Sequence, residues 1–357
     1  MASKTVKPGK TETVAQQELR ERVDLPLVPG PGDYDAERDL ILPKAHAEAE
    51  EKVPMGVIPN SPQAKAEHKE FLVYTSFKNL GTLAAIAWII TQPTGAVEWS
   101  AFAFFYVTTM LGHNMAHHRY FGHGAFKTST PMRYALAILA QSCGIGSALT
   151  WVANHRRHHA LTDRPGDLHS PFFDGMGKPL QGRKGFAHAQ LGWAFDDCST
   201  DMAIYGKGLQ DDKVLVWAHK TRWVWFWMSG IVLPAAWGYG FGGTWQHALG
   251  TVLIAGCMRM VVTLHIISML NSVCHLKGYR RYDSPGKDRN NVIVALLDMG
   301  EGWHNNHHAH PRSANNSAVW WEIDMTYWVI RGLEMVGLVW DVKRMPKGDG
   351  AGAPRLF

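Results

Sequence analysis

His155-Arg156-Arg157-His158-His159 places three imidazoles at the spacing i, i+3, i+4, and the same spacing returns at His304-Asn305-Asn306-His307-His308. On an α-helix those offsets share one face within about one turn, so each trio converges on a common point. Two such faces, far apart in the chain, read as opposite walls of one metal centre. A fold that joins them must bring distant helices to the same depth, and few architectures do so.

The aromatic content supports a membrane interface as the setting. Among 357 residues there are 19 His, 15 Trp and 14 Phe, and Trp is favoured where hydrocarbon meets water. The net charge of +5 is only mildly basic. It fits a lipid surface, and no nucleic-acid partner is expected. Four scattered Cys, at 143, 198, 257 and 274, have no CxxC spacing. Neither a disulfide framework nor a zinc ribbon follows from them.

Residues 1–68 are rich in Lys, Glu, Pro and Ala and read as a polar, largely extended head with too little apolar surface to offset ordering entropy. Apolar stretches follow at about 71–91, 97–117, 223–243 and 248–272, the first pair divided by Gln92-Pro93-Thr94-Gly95 and the second near Gly242-Gly243-Thr244. Each approaches the roughly 20 residues that cross about 30 Å of hydrocarbon. The expected fold is an all-α integral membrane protein of four spans in two hairpins, under a helical, His-rich cap. Lys78 and Arg259 interrupt the first and fourth spans and demand a partner or a polar cavity. The middle segment is rich in Arg and Lys, which puts the cap and both termini on the cytosolic face. Residues 343–357 read as a flexible tail, leaving 69–342 as the membrane domain.

Every His-rich motif flanks an apolar stretch on that same side. The ligands are imidazole-dominated, which suits Fe, Zn, Cu or Ni, and eight or nine imidazoles exceed what one ion accepts. Two metals are implied. Iron is the default for reactions with O₂, although the ligand set does not by itself exclude zinc or manganese. The first motif stays ambiguous on geometry. His113 and His117 share a helical face, whereas His118 and His123 share one only if the helix ends or distorts between them.

His118-Arg119-Tyr120-Phe121-Gly122-His123, the box at 155–159 and Glu301-Gly302-Trp303-His304-Asn305-Asn306-His307-His308 resemble the three histidine boxes of the membrane fatty-acid desaturases, most closely the Δ9 acyl-CoA type. The resemblance runs from about residue 70 to 342. It implies two irons held by His118, His123, His155, His158, His159, His275, His304, His307 and His308, with Asn271 reaching one metal through water. His113 and His117 then become supporting residues beside the ligands. Asp167 and Glu301 are candidates to orient ligand imidazoles.

The implied reaction is O₂-dependent removal of two vicinal hydrogens from an acyl chain to leave a cis double bond. A methylene C–H lies far outside the reach of side-chain acid–base chemistry. The chain has neither a His-Pro-Gly-Gly haem signature nor a Gly-rich dinucleotide fingerprint. A separate ferredoxin or cytochrome b5-type donor with its reductase is therefore implied. Phe102 and Tyr106, one turn apart, are candidates to close an acyl tunnel, with Trp151, Asn154 and Gln190 at its lining or headgroup end. Ala153-Asn154 stands where acyl-CoA relatives carry Arg-Asp, and Gln190 where they carry His. Carrier-protein thioesters and intact lipids thus stay open beside CoA. An acyl hydroxylase is the nearest alternative, since the same oxidising chemistry can deliver a hydroxyl. A membrane metal transporter or receptor is the remote one.

Overall fold

A computed structural model describes residues 53–345, together with the paired strands Tyr34–Asp35 and Leu40–Ile41. Most of the polar head and residues 346–357 lie outside the described residues.

Helix α1 spans Pro62–Thr91 and starts at Pro62 rather than near Phe71. Ser61 caps it, its hydroxyl accepting from Ala64 N at 2.9 Å, and proline suits the first helical position. Its charged early turns are used by the cap: the Arg222 guanidinium donates to both Glu70 carboxylate oxygens at 2.9 Å. After Gln92-Pro93-Thr94-Gly95, helix α2 spans Ala96–Leu111 and passes directly into a π-helix at Gly112–Gly122. The helical rod therefore runs on past residue 117, to Gly122.

Helices α3 (Thr130–Gln141) and α4 (Ala148–Leu161) follow, then α5 (Gly182–Gln190). The second long pair begins with α6, Lys213–Trp227, which continues through a π segment, Met228–Val232, into α7, Leu233–Gly242. Asp212 caps α6, accepting from Val214 N at 2.9 Å, so this helix starts ten residues before the expected Trp223. Gly243, at φ 69, turns the chain into α8 (Trp245–Thr251), a π segment (Val252–Met258) and α9 (Arg259–Leu276). The two π segments meet at glycines: a Cβ on Gly256 would sit 2.0 Å from Gly230 O. Short helices α10 (Val292–Leu297), α11 (His304–Ala309) and α12 (Met325–Met335) complete the cap.

Among the described residues one helix, Trp245–Leu276, is long and apolar enough to cross a membrane. The other long helices carry exposed apolar faces, such as Leu80, Leu83, Ile86 and Ile90 on α1 and Val232, Leu233 and Phe241 on the α6–α7 rod. Arg259 is fully buried and makes no ion pair among the described residues. Its guanidinium donates to Ala255 O (2.9 Å), Thr109 Oγ1 (2.8 Å) and Ser229 O (2.8 Å), so a polar cavity satisfies it.

The main apolar core sits in the cap. Leu136, Ala137 and Ala140 of α3, Leu149, Val152 and Ala153 of α4, and Val214, Leu215 and Ala218 of α6 pack together. Helix α4 is thereby clamped by its apolar side. Its histidine side is left for the metal centre.

Candidate metal centre

The π-helix at 112–122 explains how two histidines five apart share a face. Its wide turns bond i to i+5, and His123 N donates to His118 O at 3.1 Å. Both rings point the same way, whereas His113 and His117, which suit an ordinary helix, turn aside. His113 Nδ1 meets Asn114 Oδ1 at 2.9 Å, and His117 packs against Trp151 at 5.2 Å between ring centroids.

Nine imidazoles converge in two buried sets. His118, His123, His155, His159 and His307 form one, and His158, His275, His304 and His308 the other; within each set the ligand atoms lie within 4.8 Å of one another. Nε2 atoms face each other at 3.0 Å (His118 and His307), 2.7 Å (His123 and His155) and 3.1 Å (His159 and His307) in the first set. In the second they face each other at 3.1 Å (His275 and His304), 3.1 Å (His304 and His308) and 3.3 Å (His158 and His308).

The outward nitrogens decide what the inward ones are. Asp167 Oδ1 accepts from His158 Nδ1 at 3.0 Å, and Asp163 Oδ2 accepts from His275 Nδ1 at 2.8 Å. Glu301 Oε2 lies 2.8 Å from His118 Nδ1. A carboxylate at Nδ1 keeps the hydrogen there and leaves Nε2 as a lone pair. Lone pairs aimed at one another at about 3 Å are repulsive unless a cation sits between them, so the donor set fits metal ions. Burial, followed by the neighbouring rings, also pushes the conjugate acids of His155, His159, His304, His307 and His308 well below the ordinary histidine range. Neutral imidazole is the form that ligates.

The carboxylates are held ionised. Burial pushes all three up, but His275 beside Asp163, His158 beside Asp167, and Arg119 with His118 beside Glu301 prevail and hold them below the usual range. Arg119 anchors a further layer. Its Nε donates to Glu301 Oε1 at 2.8 Å and its two terminal nitrogens clasp Asp324 at 2.9 and 3.0 Å. Asn316 Nδ2 donates to Glu301 Oε2 at 2.8 Å. Sequence reasoning missed Asp163, Arg119, Asp324 and Asn316; the only local signal was Asp163, one turn beyond His159. Asp163→Ala should weaken metal binding roughly 10–100-fold. Chelator competition on the purified variant reads this directly, and unchanged retention would remove Asp163 from the account.

A cavity of about 780 Å³ opens beside the metal sets, with His118, His155, His158, His304, Trp151, Asn154 and Asn271 in its wall. Trp151 stacks on His155 at 4.7 Å. Three expectations need correction. Phe102 and Tyr106 stack on each other at 6.2 Å but do not line the cavity. Tyr106 donates its hydroxyl to Leu297 O at 2.5 Å, a tie between α2 and α10. Gln190 is turned against α9, where its amide donates to His265 O at 3.0 Å and accepts from Ser272 at 2.5 Å.

The fatty acid desaturase family model matches residues 93–341. The chain belongs to the fatty acid desaturase family. It is an oxidoreductase of the membrane-type desaturases, and the transporter reading is set aside. It is 38% identical over 276 residues to a hex-5-enoyl-[acyl-carrier protein] acetylenase of Moorena producens, spanning 77% of this chain and 86% of the relative. It is 29% identical over 273 residues to an sn-1 stearoyl-lipid 9-desaturase of Synechocystis (76% and 79% covered). A third relative, an icosanoyl-CoA 5-desaturase of Limnanthes douglasii, is 30% identical over 287 residues (74% and 72%). Those three names carry three headgroups and more than one bond position.

Proposed function

We propose that this protein is an O₂-dependent, di-iron fatty acyl desaturase that forms a cis double bond in a saturated chain presented as a thioester. The observation that carries the reading is the pair of buried histidine sets with inward Nε2 lone pairs. Two irons bound there would supply the O₂ chemistry that removes two hydrogens. The protein's own part is to orient His275, His158 and His118 through Asp163, Asp167 and Glu301, the last anchored by Arg119, and to lay the acyl chain along a cavity walled by Trp151 and Asn271. Burial of the metal face keeps bulk water from the reacting carbons. Asn271, in the cavity wall next to the four-histidine set, is assigned to that metal through a bridging water.

The chain is read as four spans, α1, α2, the α6–α7 rod and the α8–α9 rod, with the cap and both termini on the cytosolic face. The outward apolar faces of these helices support it. The desaturase unit is read as 69–342, joined at its start by α1 from Pro62 and by the strand Val57–Pro59, which pairs with Cys198–Thr200. Electrons come from a separate ferredoxin or cytochrome b5-type donor and its reductase.

The ninth carbon is the bond position favoured by the resemblance to Δ9 enzymes. For the headgroup we favour an acyl-carrier-protein thioester over CoA. Ala153-Asn154 lacks the usual Arg, which removes one contact for the phosphates or adenine of CoA. The relative named as acting on a carrier-protein substrate points the same way. Membranes containing the full chain, supplied with donor, reductase and CoA or carrier-protein thioesters, should yield a product two hydrogens lighter, with the carrier-protein series turned over faster. A product one oxygen heavier would establish the hydroxylase instead.

A further inference from the structure

Helix α1 contributes one continuous face to the cavity: Gln63, Glu67, Glu70, Phe71, Tyr74 and Lys78. At 1.5 Å per residue this face is about 22 Å long. Lys78 stands at its membrane-side end, with Gly144 and Leu264 also in the wall. Along α9, Leu264 lies about 10 Å deeper than Asn271, which marks the level of the metal sets.

Lys78 is 1% exposed, and its ammonium donates to Gly144 O at 3.0 Å. An ammonium has three donors, and no second acceptor accompanies this one among the described residues. The cavity's carboxylates are used elsewhere: Glu70 by Arg222 and Tyr74, Glu67 by Gln63, and Asp196 by His188. Arg259, the other buried cation of the spans, likewise binds only neutral oxygens. The deep end of an acyl cavity thus holds a donor with capacity to spare and no anion to take it up.

We propose that Lys78 reads the far end of the acyl chain and selects chains whose terminus carries a hydrogen-bond acceptor, such as a hydroxyl, over chains of equal length ending in methyl. A methyl pressed against the ammonium strips it of water and returns nothing, whereas an oxygen completes its hydrogen bonding. The inference rests on the desaturase reading and deepens it by naming the substrate class.

The test compares kcat/KM for paired thioesters, methyl-ended and hydroxyl-ended, over a series of chain lengths, with the full-length enzyme in membranes. At the length that reaches Lys78, the wild type should favour the hydroxyl-ended member by about tenfold. Lys78→Met should bring that ratio to one, and Lys78→Arg, which keeps donors, should retain most of it. A wild type that favours methyl-ended chains at every length, or an unchanged ratio in Lys78→Met, overturns the inference while leaving desaturation intact. Should Lys78→Met fail to fold, the wild-type ratio decides alone. Turnover of neither series overturns the desaturase reading and this inference with it.

Discussion

His307→Ala is expected to strip the five-histidine set of its metal and lower turnover by at least about a thousandfold. His307 sits where the two helical faces meet, its Nε2 at 3.0 Å from that of His118 and 3.1 Å from that of His159. Its removal opens the set on the side facing α11 and leaves the remaining four rings with repelling lone pairs. Because the ligands act as a unit, His159→Ala combined with His307→Ala should be no worse than either alone. His117→Ala, by contrast, should keep its full complement of metal, since that ring stands outside both sets. Metal analysis and turnover of the four purified variants, His307→Ala, His159→Ala, their combination and His117→Ala, check this. Equal metal loss from His117→Ala would mean that the π-helix register is misassigned.

Arg119→Leu should destabilise the folded protein by about 3–5 kcal/mol. The guanidinium is 1% exposed and lies between Glu301 and Asp324, both equally inaccessible. Without it two carboxylates remain buried and uncompensated, and one of them is the partner of His118. Loss of stability and loss of metal should therefore appear together. Urea titration in mild detergent should show the shifted midpoint. The surface pair Lys127–Asp341, whose side chains are more than half exposed, is the natural contrast, and Lys127→Ala should leave the midpoint in place. A wild-type midpoint in Arg119→Leu would show that the buried network contributes little.

How much of this was legible in the residues depends on the range of the interaction involved. The i, i+3, i+4 trios at 155–159 and 304–308 announce a shared helical face, and α4 and α11 present them as such. The turns at Pro93-Thr94-Gly95 and Gly242-Gly243 divide the apolar stretches where the helices end. Periodicity does not reveal the π-helix, because the i+5 register of His118 and His123 has no marker in residue type. Arg119, and Asp163 beyond its place one turn after His159, were hidden for another reason. Each acts on a residue more than a hundred positions away, and an isolated Asp or Arg in sequence reads as surface charge. Phe102 and Tyr106 failed through packing: their helical spacing is right, but Tyr106 finds Leu297 O and leaves the cavity wall to α1, α4 and α9.

The early start of α1 has a functional side. Had the helix begun near Phe71, Gln63 and Glu67 would not continue the face that ends at Lys78, and the cavity would lose its outer wall. Ser61 and Pro62 are a legible start signal that a count of apolar residues alone passes over.

The measurement that most directly tests the central claim is the iron content and iron environment of the full-length protein after anaerobic reconstitution. Two irons per chain, in two distinguishable environments matching sets of five and four histidines, is the result predicted here. A single metal per chain, or two in identical environments, would contradict it.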